Sequence, residues 1–342
     1  MKESLVAGLL LTILLFTTSW LHAAQPPAPA LAEEPAAPTP AATPTATPAE
    51  ALTQTAPATL PDDQIQLRAK IGNTVQTVTM ANYLPGVIRA EMSPAFELEA
   101  LKAQAVAERT YICYQMEKGA KAAHPDADVC DSAACCSAYL SEADARQKWG
   151  DSFEVYEQRV QAAVADTDGV VMLYGGAPIM AVFHSSSAGK TAACDDVWTA
   201  ELPYLVSVES PETADTVPNY YSVRTFSRDE FRRIFADAHH DADFSGTWIA
   251  DRRENASGRV ESVTVGGITV TGGEMRNLYG LRSTCFTLEE DSDAITFHVT
   301  GYGHGVGMSQ YGAQELAKEG RSWREILQWY YTDITFGGYT NR

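Results

Sequence analysis

The chain has 342 residues and a formal net charge of −19, from 44 acidic and 25 basic side chains, and no basic stripe interrupts that balance. This excludes nucleic acid as a partner and sets the molecule against polyanionic wall polymers such as teichoic acid. The 45% hydrophobic content supplies a real core, and the length admits two domains.

Residues 5–21 form an apolar run broken chiefly by Ser and Thr and preceded by Lys2 and Glu3. Its composition suits a signal peptide or a single membrane span. Cleavage after Ala23 or Ala24 would put Leu21 or His22 at −3, where a small residue is wanted, so a retained anchor over residues 1–24 is expected. Residues 25–60 are almost entirely Ala, Pro, Thr and Glu, a linker that cannot bury a core. In polyproline II at ~3.1 Å per residue it would reach about 110 Å. The expected arrangement is a single-pass cell-membrane protein with an extracytoplasmic folded ectodomain over residues 61–342.

That ectodomain opens with a hairpin: Ile65, Leu67, Ala69 and Ile71 alternate, Gly72 and Asn73 signal a turn, and an apolar strand returns over 75–80. Two helices follow. Pro85 is expected in a first helical turn, and a second start is expected with Ser93 as N-cap and Pro94 at N1. From there Ala, Leu, Glu and Lys continue to a stop at Gly119, with Leu98, Leu101, Ala105 and Ile112 on one face. Residues 118–139 read as an irregular loop. Phe153, Tyr156, Val160 and Ala163 mark an amphipathic helix ending at Gly169. Hairpins are expected around Gly175 and Gly176, and around Gly266 and Gly267. Ser227 with Glu230, and Ser322 with Glu325, are capping boxes opening further helices. A strand over 296–300 feeds a glycine-rich loop and then a helix over 309–317. Separate hairpins mixed with helices, without βαβ alternation, define an α+β fold.

Three stretches carry chemistry. Glu91 lies where the first two helices meet, and a carboxyl shielded there while facing a groove would have the raised pKa of a general acid; a solvated Glu between helices is the plain alternative. Gln104 and Arg109 follow on the next helix. Four glycines surround His304 in residues 301–307, and the helix start beyond them favours acceptor groups such as acetamide carbonyls; a tight turn with a bonded His fits equally. The Lys-Ser/Thr pair of a phosphate loop is missing. His184, Ser185 and Ser186 present an imidazole and hydroxyls together without the elbow of a serine hydrolase, which suits the polar wall of a sugar groove or a structural turn.

The residues PGVIRAEM followed by LEALKAQAVAERTY, the stretch FHSSSAGKTAACDDVWTAELPYLVSV at 183–208, and GYGHGVGMSQYGAQ at 301–314 stand in an order that resembles the family joining stage II sporulation protein D to the amidase enhancers. The resemblance covers most of the chain from about Tyr83 onward. It implies a helical catalytic core with β-hairpin arms around a glycan groove, and a lytic transglycosylase acting on peptidoglycan in forespore engulfment. It implies Glu91 as the catalytic residue, a preference for glycan strands denuded of stem peptides, and two partners, a sporulation cell-wall amidase and a membrane scaffold protein. Gln104, Arg109, His184, Ser185, Ser186, His304, Gly305, Ser309, Gln310 and Tyr311 are the expected substrate-binding residues. The alternative within the family is a non-catalytic, glycan-binding enhancer of a cell-wall amidase.

Six cysteines in an outward-facing domain make disulfides the default. Yet His124, Cys130, Cys135 and Cys136 fall within thirteen residues, and adjacent cysteines pair only under strain. Thiolates and an imidazole at that density suit Zn²⁺. Clostridial members of the resembled family imply zinc held in this loop by His124, Cys130 and Cys136, with Cys135 or water completing a structural site. A zinc hydrolase is disfavoured, since no H-E-x-x-H is present.

Overall fold

The computed structural model describes residues 60–198 and 201–340, so the expected anchor and, apart from Leu60, the linker lie outside the described residues. Among these residues no helix is long and apolar enough to cross a membrane. The first hairpin forms as its alternation predicts: β1 (Gln66–Ile71) runs antiparallel to β2 (Thr74–Thr79), with Gln66 opposite Thr79. Leu67 and Ala69 enter the core, and Met80 begins α1 (Met80–Glu91) at once. Pro85 therefore sits inside α1, past the first turn where it was expected, and forfeits one helical hydrogen bond.

The second helix, α2 (Leu98–Lys118), starts four residues later than the Ser93–Pro94 signal suggests. Residues 93–96 form a turn closed by Phe96 N–H on Ser93 O at 3.0 Å. Arg159 donates to the carbonyls of Pro94 and Phe96, and Gln314 Oε1 accepts the Glu97 N–H at 2.6 Å. Tertiary contacts thus claim the backbone groups around which a helix would have opened. Gly119, at φ 85°, ends α2 as expected. Every α2 residue from Ala103 to Thr110 is buried, making this helix the axis of the first core.

Beyond α2 the loop contributes β3 (Val129–Cys130), parallel to β1. Ser141 accepts the Asp144 N–H and caps α3 (Glu142–Trp149), and α4 (Phe153–Ala165) packs on α1 and α2. The expected hairpin at Gly175 is shorter than predicted. On this side β4 (Val170–Tyr174) meets a partner of just two residues, β5 (Ala177–Pro178), and the chain then departs to β6 (Phe183–His184).

A second core occupies the next stretch, from Phe226 to Val299. Its elements are β7 (Tyr221–Ser227), α5 (Arg228–Ala238), β8 (Ile249–Glu254), β9 (Val260–Val265), β10 (Ile268–Thr271), α6 (Gly272–Tyr279), β11 (Phe286–Glu290) and β12 (Ala294–Thr300). They make two antiparallel sheets ordered β10-β9-β8 and β11-β12-β7, enclosing Phe231, Phe235, Tyr279, Phe286 and Phe297. Gly301 N–H bonds Tyr220 O at 2.9 Å, so the chain leaves the first core and returns to it at neighbouring points.

On its return the chain forms β13 (Met308–Ser309), parallel to β6, then α7 (Gln310–Lys318), α8 (Trp323–Tyr330) and β14 (Thr335–Gly338) on β4. The reciprocal capping box of Ser322 and Glu325 opens α8. The structure is mixed helix and sheet, compatible with α+β.

Candidate functional site: a carboxyl in an imidazole-walled cavity

A cavity of about 510 Å³ opens among Glu91, His184, Ser185, Arg276, Tyr302, His304 and Gln310, a volume within the range of ligand sites. Glu91 is the last residue of α1, and its position is fixed from both sides. Gln310 Nε2 donates to its backbone carbonyl at 2.9 Å, and Ala138 N–H donates to its Oε1 at 2.5 Å. Burial raises the Glu91 pKa, and the Ala138 N–H works against it. Among the described residues it is the only carboxylate lining this cavity.

Behind it lies Glu108, fully buried on α2. Ser137 Oγ donates to its Oε2 at 3.0 Å, and Gln104 Nε2 approaches its Oε1 at 3.4 Å. Burial, then the charge of Glu91, pushes its pKa well above the ordinary range.

The two imidazoles on the opposite wall are neutral at pH 7. His184 Nδ1–H donates to Val306 O at 3.2 Å, while its Nε2 accepts from Ser187 Oγ at 2.7 Å. Burial, and then the neighbouring His304, lowers the His184 pKa well below the usual value. His304 Nδ1 accepts the Val306 N–H at 3.1 Å, and burial followed by the charge of Arg276 lowers its pKa to about 4. Ser187 is fully buried, and the group on His184 Nδ1 is a carbonyl rather than a carboxylate, so this pair braces the wall and is no nucleophile.

Of the residues expected in the groove, Glu91, His184, Ser185, His304 and Gln310 line the one cavity. Gln104 lies one layer down, between Gln310 and Glu108. Arg109 is not on the cavity wall. It is fully buried and bonds both oxygens of Asp62 at 2.7 Å, with Thr167 and the Val164 and Val170 carbonyls around it. Ser186 is buried, pairing by backbone with Tyr302. Ser309 caps α7 and donates to Glu212 Oε1 at 2.5 Å. Tyr311 packs its ring edge-on to Phe96.

Gly305 is buried under Arg259, whose guanidinium carbon lies 2.2 Å from where a Cβ would stand. A Cβ on Gly307 would meet the Val182 carbonyl at 2.0 Å. The close approach that these two glycines permit is to the protein itself, not to a ligand.

Sequence reasoning missed Glu212. This buried carboxylate takes Ser187 N–H at 2.6 Å and the Ser210 and Ser309 hydroxyls at 2.5 Å, tying the His184 segment to the start of α7. Nothing in its local sequence marks that role.

The expected metal residues also converge. The ligand atoms of His124, Cys130, Cys135 and Cys136 all lie within 4.8 Å of one another. A zinc tetrahedron with Zn–S of about 2.3 Å and Zn–N of about 2.0–2.1 Å has edges of roughly 3.5–3.8 Å. Cys136 Sγ is 3.3 Å from His124 Nε2 and 4.0 Å from Cys135 Sγ, close to those edges. His124 Nδ1–H donates to Ala127 O at 2.9 Å, which leaves Nε2 free to ligate. Burial pushes the Cys136 thiol up to about 12, and Lys121 Nζ, 3.6 Å from its Sγ, works against that shift. The four residues fit a metal ion, and no cysteine among the described residues is in a disulfide. Cys136 and Ser137 line the cavity wall beside Glu91.

The site is thus a carboxyl-centred polar cavity beside a His/Cys cluster. A family model described as Stage II sporulation protein matches residues 69–174, which contain Glu91 and the four His/Cys residues. The chain is 35% identical to Stage II sporulation protein D of Bacillus subtilis (strain 168) over 258 residues, 75% of this chain and 74% of that protein. It is 33% identical to Stage II sporulation protein D of Bacillus amyloliquefaciens, over 77% of this chain and 75% of that one. It is 29% identical to the Amidase enhancer of Bacillus subtilis (strain 168), over 75% of this chain and 40% of that protein. The chain belongs to the stage II sporulation protein D family.

Proposed function

We propose that this protein is a peptidoglycan lytic transglycosylase that cleaves the bond after N-acetylmuramic acid and leaves 1,6-anhydro ends. The observation that carries the reading is a single carboxyl of raised pKa lining a cavity whose two imidazoles are uncharged at neutral pH. A paired-carboxylate glycosidase needs a second carboxylate on the cavity wall, and the described lining offers none.

Glu91, protonated, donates to the glycosidic oxygen as the bond to the anomeric carbon breaks. The carboxylate it becomes takes the proton of the same sugar's 6-hydroxyl, whose oxygen closes on the anomeric carbon. Protons balance, Glu91 is regenerated, and no water is consumed. The Ala138 N–H holds the carboxyl in place through both steps.

A metal ion held by His124, Cys130, Cys136 and Cys135 would be zinc and would fix the 121–138 loop, and with it the Ala138 donor. The protein would work in forespore engulfment, anchored in the membrane by residues 1–24 with its ectodomain extracytoplasmic. Its partners would be denuded glycan strands, a sporulation amidase and a membrane scaffold protein. The match to the Amidase enhancer favours a second reading, in which the same cavity binds glycan without turnover.

The test is the product spectrum. The protein should release anhydro-disaccharides from denuded glycan, and Glu91→Gln should lower the rate about 10²–10⁴-fold while preserving the melting temperature. Products one water heavier, or equal rates for the two proteins, would refute the assignment, and binding without products would establish the enhancer reading.

A further inference from the structure

The Glu91 cavity has a cationic end. Arg276, on α6 of the second core, lines it, and among the described residues its side chain donates only from Nε, to Leu281 O at 3.3 Å. Arg282 lays its guanidinium 4.2 Å over the ring of Tyr302, another lining residue, and its buried Nε has no hydrogen-bond partner among the described residues. Arg259, 2% exposed, stands behind His184 and His304, close enough for its charge to act on both, with all three guanidinium nitrogens unpartnered.

None of these three arginines forms an ion pair among the described residues. Glu212, whose charge reaches Arg259, is already held by Ser187, Ser210 and Ser309. In a chain of net charge −19 carboxylates are plentiful, yet among the described residues none pairs with this cluster. Unpaired guanidinium groups out of water are costly unless an anion answers them.

We propose that Arg276, with Arg282 on Tyr302 and Arg259 behind, is an anion subsite that receives the lactyl carboxylate of a peptide-free muramic acid residue. The inference rests on the glycan-cleaving reading and names the residues that would read its substrate. N-acetylmuramic acid differs from N-acetylglucosamine by a lactyl ether. Its carboxyl is an anion when free and a neutral amide when a stem peptide is attached. A guanidinium separates the two by a full charge and a charge-assisted bond, so these residues would select denuded strands.

The test uses the full chain carrying Glu91→Gln, so that binding is read without turnover. Three tetrasaccharides of alternating N-acetylglucosamine and N-acetylmuramic acid serve as probes: one with free lactyl carboxylates, one with lactyl methylamides, one bearing stem peptides. The free acid should bind about 10- to 100-fold more tightly than the methylamide, and the peptide-bearing strand no better than the methylamide. Adding Arg276→Gln should make free acid and methylamide bind alike, and Arg276→Lys should restore part of the difference.

Equal affinities in the Glu91→Gln protein, or a gap that survives Arg276→Gln, would overturn the proposal. Tight binding of the peptide-bearing strand alone would assign the subsite to peptide carboxylates and likewise overturn it. The unmutated protein separates this failure from that of the parent reading. Anhydro products at one rate from free acid and methylamide remove the subsite and leave Glu91 its role. No binding and no cleavage of any probe removes both.

Discussion

Two carboxyls share one end of the first core, and only one faces the cavity. Glu108 carries the larger burial, and the negative field of Glu91 adds to it, so Glu108 retains its proton most firmly. A carboxyl whose folded-state pKa is raised stabilises the fold fully below the ordinary glutamate value of about 4.3. That contribution is lost as pH rises through the raised value. Glu108→Gln removes this liability, since an amide needs no proton and Ser137 can turn its hydroxyl to suit. The variant should melt above the parent at pH 8, on the order of a few degrees, with the gap closing toward pH 4. A melting gap independent of pH would show that Glu108 does not titrate in this way. At this scale the sequence was partly legible. Glu91 does lie between two helices as expected, although the prolines that suggested the junction misplace both helix starts. Arg109 and Lys102 do share a helix face as their spacing requires, but that face meets Asp62 and Asp166 rather than ligand. Asp62 lies 47 residues from Arg109, and periodicity is silent about partners at that distance.

The glycine-rich segment before α7 works as an element. Gly307 stands at φ 71°, and the backbone oxygen of Val182 occupies the space where a side chain would begin. Gly307→Ala should destabilise the protein by about 2 kcal/mol or more, through left-handed backbone strain and the clash, measurable by urea unfolding. A loss under about 0.5 kcal/mol would mean that the β6–β13 contact gives way freely. Elements with strong signals were readable: the first hairpin, α4, the β9–β10 hairpin and α8. The elements missed lack apolar periodicity. α3 buries only Ala145, and β7 exposes Tyr221 and Val223 on one face at the sheet edge. The Ser93–Pro94 start misled because Arg159 and Gln314, both distant in sequence, take the backbone groups there.

For the molecule as a whole, the His/Cys cluster ties the loop bearing Ser137 and Ala138 to the rest of the first core. Cys130 sits on β3, which pairs with β1, while Ser137 and Ala138 reach the two carboxyls. Purified protein should contain about one zinc per chain, and Cys130→Ser or Cys136→Ser should remove it. Chelation should lower the melting temperature on the order of 10 °C, because an ion that binds only the folded state stabilises by mass action. A Cys130–Cys136 disulfide in metal-free native protein would defeat this. The convergence of the His/Cys cluster was legible because its residues are close in sequence. The meeting of Glu91 with His184 and His304 was expected only through resemblance, since spacing cannot bring such distant segments together.

The walls of the cavity are spread along the chain from Ala90 to Gln310, and the Gln310 amide holds the carbonyl of Glu91. The ribosome makes the acid early and its setting late. A nascent chain that has reached Thr300 holds every residue of the second core and lacks Tyr302, His304, Gln310 and the strand β13 that pairs with β6. Such a chain has a glutamate but no pocket around it. The wall is complete only once the chain has passed Gln310, and a fragment cut short anywhere before α7 lacks part of it.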